Sequence, residues 1–290
     1  MILDKYKNRH KAMKIIYSPK EMTEYSKEML SQSKTIGFVP TMGALHKGHL
    51  SLVAEARKRS DIVVLSIFVN PTQFGANEDF DKYPRQLQED AEKAKDVDVI
   101  FAPSSSDMYF ADSSTAIVEN SISANLCGIS RPKHFSGVCT VVCKLLNIVK
   151  PNFAIFGEKD AQQVSVIKRM VRDLFIDTQI VVAPLIRDDD GIATSSRNAY
   201  LNEEQHRDSL IISQSLREAK ALVDNGCDCV DRIVALITNN FSKSPKIRII
   251  YINVVDAENS LPIKTIVKGK SRICIAIWLD TIRLIDNILI

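Results

Sequence analysis

Apolar runs and amphipathic stretches alternate along the first two-thirds of this chain. "TIGFVPT" at 35–41 is a short apolar run ending in proline and threonine, and it predicts a buried strand. Residues 49–60 then place Leu50, Leu52, Val53 and Ala56 at helical spacing, with charge on the other side. "DIVVLSIFVN" at 61–70 is a second β-branched run, so this segment reads strand, loop, helix, strand, a right-handed βαβ unit. The pattern continues with a helix over 84–96 after Pro84, a strand over 97–103 and a polar loop over 104–115. A helix over 134–150 closed by Pro151, a strand over 153–157, a helix over 160–175 with Asp160 as its cap, and a strand over 178–186 follow. Such alternation predicts an α/β fold, a doubly wound, Rossmann-like parallel sheet.

After Ile186 the pattern changes. Residues 203–225 and 228–241 read as consecutive helices, followed by strand-like runs at 247–255, 271–279 and 281–289. Helices followed by antiparallel strands predict a smaller α+β unit. The expected organisation is therefore a larger domain over 13–186 and a small C-terminal α+β lid domain over 187–290. Residues 1–12 are polar, precede Met13, and are expected to lie outside the fold as an N-terminal extension.

Composition narrows the partners. The 290 residues carry 38 basic and 35 acidic side chains, a formal charge of +3, with no dense basic stripe, so nucleic acid is not an expected partner. No run approaches the ~18 apolar residues of a membrane span, and the N-terminus lacks an apolar core of signal-peptide length. Six scattered cysteines include Cys139 and Cys143 on one helical face and a Cys227/Cys229 C-x-C pair. Neither pair has companions at zinc spacing, so reduced thiols and a cytoplasmic location are expected.

Candidate chemistry gathers where strands end. With only ten glycines in the chain, Gly43, Gly48, Gly75, Gly157 and Gly191 all fall at strand-to-loop corners. Open α/β sheets bind ligands at those carboxyl ends. Met42 to His49 runs from a strand end into a helix N-terminus, where backbone amides and the helix dipole favour phosphate. His46 and His49 add two donors there, or else serve as a capping or surface pair. The stretch is neither a P-loop nor a dinucleotide fingerprint. Asn70 and Gln73 supply neutral amides after the second strand; Lys159, Asp160 and Gln163 follow the fourth; Ser195, Ser196 and Arg197 sit at the domain boundary. Each alone fits an ordinary surface or turn residue, but together they point to a phosphate and small-molecule site. A serine hydrolase is disfavoured, because neither serine has a nucleophile-elbow context.

"PTMGALHKGHLSLV", "SIFVNPTQF", "RPKHFSGVCTVVCKLLNIVKP", "FGEKDAQQ", "SSRNAYL" and the terminal "TIRLIDNIL" together resemble the pantoate–β-alanine ligases, also called pantothenate synthetases. The resemblance runs from Met13 nearly to the end of the chain, and the first five of these motifs in order are far more specific than the H-x-G-H corner that many nucleotidylyl transferases share. It implies ATP-dependent, Mg²⁺-requiring condensation of pantoate with β-alanine through pantoyl adenylate, in a cytoplasmic homodimer of the coenzyme A pathway. It further implies that Met42, Gly43, Ala44, Leu45, His46, Lys47, Gly48 and His49 bind ATP, with His49 the assigned proton donor and His46 its phosphate-binding neighbour. Gly157, Glu158, Lys159, Asp160, Ile186, Thr194, Ser195, Ser196 and Arg197 match the remaining ATP contacts, with Lys159 and Arg197 neutralising phosphate. Gln73 and Gln163, with Asn70, match the pantoate and β-alanine positions, and Asp90 is the weaker candidate for placing Mg²⁺. Two departures matter: Thr194 stands where the family has methionine, and Asp188 and Asp189 stand where it has glutamate and alanine. Ala161 also replaces an aromatic residue. Two rivals are an adenylyl or cytidylyl transferase acting on a phosphate ester, which has no need of the facing amides, and a non-catalytic nucleotide-binding regulator.

Overall fold

A computed structural model describes residues 13–76 and 78–290; the proposed extension at 1–12 lies outside the described residues. Its elements run β1 (Lys14–Ile16), α1 (Pro19–Ser31), β2 (Ile36–Thr41), α2 (Lys47–Arg57), β3 (Ile62–Ile67), α3 (Leu87–Lys93) and β4 (Val99–Phe101). Then come α4 (Ser105–Met108), α5 (Cys127–Ser130), α6 (His134–Val149), β5 (Phe153–Gly157), α7 (Ala161–Asp173) and β6 (Gln179–Ala183). The chain closes with α8 (Glu203–Asp224), α9 (Val230–Phe241), β7 (Ile247–Asp256), β8 (Ser271–Leu279) and β9 (Ile282–Leu289). No helix among the described residues is long and apolar enough to cross a membrane.

Strands β1 to β6 form one parallel sheet in the order β1-β4-β3-β2-β5-β6. From β2 the chain winds outward through β3 to β4, whereas β5 and β6 build away on the other side. The switch therefore falls between β2 and β5, which opens a crevice beyond their carboxyl ends. Thr41 ends β2 and Gly157 ends β5, so the two richest candidate motifs begin at the same crevice.

Local chemistry accounts for most boundaries. Helix α6 ends at Lys150, whose φ of 48° is left-handed, immediately before Pro151. Helix α8 starts with a capping box, Asn202 and Gln205 each bonding the other's backbone. Strand β1 and helix α1 are not anticipated by the periodicity. Three residues are too short a run to register, although Ser18-Pro19 with Glu21 is a helix-start signal: the Ser18 side chain accepts from the Glu21 amide at 3.4 Å. The helix expected over 84–96 begins only at Leu87, and the polar stretch over 104–115 contains the one-turn helix α4, capped by Ser104. Asp160 occupies the cap position of α7, but its side chain makes no cap bond.

Both faces of the parallel sheet are covered. On one, α1, α6 and α7 bury Phe38, Phe101, Val142, Leu146 and Ile167; on the other, α2 and α3 enclose Val39, Leu65, Val53 and Ala56. Helix α6 presses its glycine against the turn at Pro71–Gln73. A Cβ on Gly137 would stand 2.4 Å from the Thr72 carbonyl oxygen and 2.7 Å from Gln73 Cα. Because both obstacles are backbone, Gly137→Ala is expected to displace that turn, to cost about 1–3 kcal/mol, and to weaken whatever Gln73 binds. Thermal melts and ligand saturation curves read the two effects, and a wild-type profile in both would show that the turn yields freely.

A separate apolar cluster draws on residues from Leu201 onward, with α8 and α9 packed on the antiparallel sheet β7-β8-β9. In β9, Ile282, Leu284 and Ile288 enter that cluster, and strand alternation places Arg283, Ile285 and Asn287 on the opposite face.

Candidate active site

A cavity of about 290 Å³ lies over the crevice between β2 and β5, its wall completed by β7, β8 and β9. Met42, His46, Gly48 and His49 line it, but Gly43, Ala44, Leu45 and Lys47 do not. The loop is held from behind. Gly43 and Ala44 are left-handed in succession, with φ of 83° and 52°, and their amides turn away from the cavity. Gly43 donates to Thr41 Oγ1 at 3.2 Å, while Ala44 and Leu45 donate to the two carboxylate oxygens of Asp90 at 2.9 and 2.7 Å. Asp90 is fully buried. This corrects two expectations: the first amides of the stretch are spent inside the protein, and Asp90 braces the loop rather than facing a metal ion.

The bracing delivers the histidines. His46 is at the cap position of α2 without a side-chain cap bond, so it is not a capping histidine. Its ring stacks on that of His49, centroids 4.0 Å apart. Each has a buried Nδ1 without a partner among the described residues. Burial, and then the neighbouring positive charge of Lys159, hold His46 down to about 4. His49 is held to about 3 by burial, then by His46 and Lys159. At neutral pH both rings are uncharged, and each offers one N–H and one lone pair.

Asn70 lines the cavity, yet its amide is consumed internally. It donates to Gln73 Oε1 at 3.0 Å and to the Gly137 carbonyl at 3.2 Å, and it accepts from the Tyr109 and Thr72 hydroxyls. Its place is therefore to orient Gln73, not to touch a ligand. The Gln73 amide nitrogen is left pointing at Met42 Sδ, 3.1 Å away, a weak acceptor that a better one displaces. Gln163 also lines the cavity with its side chain unengaged among the described residues. Two residues of the quoted "RPKHF" stretch were missed as site residues. Arg131 bonds the Gln73 carbonyl at 3.2 Å and grips Glu78, and His134 Nδ1 donates to the same carbonyl at 3.0 Å. Burial and then the charge of Arg131 hold His134 down to about 4.

Lys159, Asp160 and Gly157 also line the cavity. Glu158 faces away: its carboxylate pairs with Arg272 at 2.6 Å, which removes it from the expected ATP contacts. The same turn is fastened from β9, where Asn287 Nδ2 donates to the carbonyls of Glu158 and Lys159, both at 3.0 Å, and Arg272 donates to Asn287 Oδ1. Asn287 and Arg272 stand more than a hundred residues from Lys159, and nothing local in the sequence marks them as its support.

Ile186, Thr194, Ser195, Ser196 and Arg197 complete the wall. Ser195 caps its own turn by accepting from the Arg197 amide, and Arg197 forks onto Asp79 at 3.0 and 3.2 Å. The two departures from the family pattern meet here. Thr194 Oγ1 donates to Asp188 Oδ1 at 2.9 Å, so the hydroxyl that replaces a thioether is satisfied by the nearby carboxylate. Among the described residues no group of three or more His, Cys, Asp or Glu side chains could hold a metal ion. Mg²⁺ is usually held by substrate phosphates, water and one or two carboxylates rather than by an all-protein cage, and it is treated below as part of the nucleotide substrate.

With this geometry in place, comparison with known proteins is direct. The family model for Pantoate-beta-alanine ligase matches residues 14–289. A pantothenate synthetase of Thermotoga petrophila is 50% identical over 277 residues, covering 95% of this chain and 99% of its own. One from Thermosipho africanus is 50% identical over 283 residues, covering 96% and 100%. Among solved structures, a pantothenate synthetase from Thermus thermophilus superposes with a TM-score of 0.88 at 38% identity, covering 95% of this chain and 99% of that one. A pantoate-beta-alanine ligase from Francisella tularensis, complexed with beta-gamma ATP and beta-alanine, gives a TM-score of 0.79 at 38% identity over 96% and 98%.

Proposed function

The chain belongs to the pantoate–β-alanine ligase family, whose reaction is the ATP-dependent condensation of pantoate with β-alanine, and we propose how its cavity carries that reaction out. A carboxylate is a poor acyl donor until one of its oxygens joins a good leaving group. In the first step a pantoate carboxylate oxygen attacks the α-phosphorus of MgATP, a P–O bond forms, and pyrophosphate leaves. In the second, the amine of β-alanine attacks the acyl carbon, the bond to AMP breaks, and the nitrogen loses its proton as pantothenate forms.

The observation that carries this reading is the meeting of two uncharged imidazoles, Lys159 and the amide side chains of Gln73 and Gln163 in one cavity. Lys159 and Arg197 neutralise phosphate. His46 and His49 act as N–H donors to the oxygens that gather charge as the phosphorus is attacked. Gln73 and Gln163 hold pantoate by its hydroxyl groups, and Gln73 also borders the amine. Ser195 and Ser196 donate to the nucleotide. Residues 187–290 form the lobe that closes over the adenylate and excludes water. A cytoplasmic homodimer completes the proposal on the strength of the family resemblance.

ATP–pyrophosphate exchange, run with Mg²⁺ and pantoate but without β-alanine, tests it. Exchange that requires pantoate is the expected result. Its absence from folded, ATP-binding protein would redirect the reading to a nucleotidylyl transferase, or to a regulator if no acceptor served.

A further inference from the structure

The cavity is lined by four permanent cations among the described residues, and three of them already face a carboxylate. Arg131 grips Glu78, Arg197 forks onto Asp79, and Lys159 stands 3.8 Å from Asp160. Arg283 differs. Among the described residues its guanidinium hydrogen-bonds only to the Cys127 thiol, through Nη2 at 3.3 Å. A cysteine sulfur is a weak acceptor and leaves most of the guanidinium donors unused. A half-buried guanidinium without an anion, on the wall of a cavity that processes carboxylates, is a recognition group awaiting its partner.

We propose that Arg283 binds the carboxylate of the amino-acid substrate, so that the C-terminal sheet supplies the group that selects an amine bearing an acid. The inference rests on the ligase reading above. Pantoate is not the anion in question, because its carboxylate must attack phosphorus, and a guanidinium clamp would hold back its nucleophilic oxygen. The carboxylate of β-alanine stays ionised from binding to product and gains a lasting partner. Placement agrees. Arg283 is near enough to His134 that its charge adds to that of Arg131 there, and His134 is bonded to the backbone of Gln73. Arg283 and Asn287 share one face of β9, four residues or about 13 Å apart along the strand. Asn287 holds the turn at Lys159, so one face of β9 carries both the proposed carboxylate partner and the support of the proposed phosphate partner.

Arg283→Gln is expected to raise the apparent KM for β-alanine about 30- to 100-fold, the loss of a charge-assisted pair. Pantoate-dependent ATP–pyrophosphate exchange, which needs no amine, stays within about threefold of wild type. Arg283→Lys recovers part of the affinity. β-Alaninamide, which keeps the amine and loses the charge, is used far less well than β-alanine by the wild type and nearly as well by Arg283→Gln. An unchanged KM with full discrimination against the amide would overturn the proposal, as would equal losses in exchange and ligation, which mark a structural or phosphate-side role. Absent exchange in the wild-type protein would instead overturn the ligase reading itself.

Discussion

Replacing His49 by alanine is expected to slow pantoate-dependent pyrophosphate exchange by two to three orders of magnitude, the usual loss when one fixed donor to a developing oxyanion is removed. The ring is half-buried, stacks on His46, and has a buried Nδ1 without a partner among the described residues. Its protonated form is disfavoured by burial first and then by His46 and Lys159, down to about 3. The imidazole therefore works uncharged, as a hydrogen-bond donor, and not as an imidazolium acid. This fixes the sign of the pH dependence. In the free enzyme kcat/KM should show no limb near 6.5 from this pair, since both rings are already neutral there. Stability behaves alike: a histidine buried neutral contributes stability fully above its unfolded value of 6.5, and that stability is lost as pH falls toward about 4 and 3. His49→Gln, which keeps an N–H donor, should recover part of the rate. Unimpaired exchange in His49→Ala would remove the ring from the chemistry.

Asp90→Ala is expected to produce the second large loss, by a different route. Asp90 is fully buried and accepts from two backbone amides of the loop that carries the histidines. Its removal leaves the Ala44 and Leu45 donors without an acceptor, about 1–3 kcal/mol for each, so the melting temperature should drop on the order of 10 °C. Exchange should fall at least about tenfold as His46 and His49 lose their frame. Asp90→Asn keeps one acceptor oxygen but turns an NH₂ toward an amide, and should fall between alanine and wild type. The Mg²⁺ concentration needed for half-maximal residual exchange should not change. An intact melting temperature with a raised Mg²⁺ requirement would restore Asp90 as a metal ligand.

Legibility of this chain followed the range of the physics involved. The parallel-sheet alternation was readable because burial on both faces writes continuous apolar runs, and amphipathic helices write a 3.6-residue period between them. The corner at Met42–His49 was readable because a strand end, two glycines and a helix start lie within eight residues. Strand β1 was too short to carry a pattern. Asn70 and Gln73 look equivalent in "NPTQ", yet one is wholly consumed by Tyr109, Thr72 and Gly137 while the other faces the cavity. Glu158 and Lys159 are neighbours in "GEKD", and a single step along the turn sends one to Arg272 and the other to the cavity.

By itself the sequence determined the α/β class, the strand ends where ligands approach, and, through five ordered motifs, the family. Tertiary structure alone decided which of those polar groups are spent holding others, Asp90 under the loop, Asn70 behind Gln73 and Asn287 on the Lys159 carbonyl, and which is left facing the cavity, Arg283, with no anion among the described residues. Periodicity and capping are interactions between residues a few positions apart, so they leave their imprint on neighbouring letters. The partner of a buried polar group is chosen by the register of strands and the packing of helices from distant parts of the chain, and no local pattern records that choice.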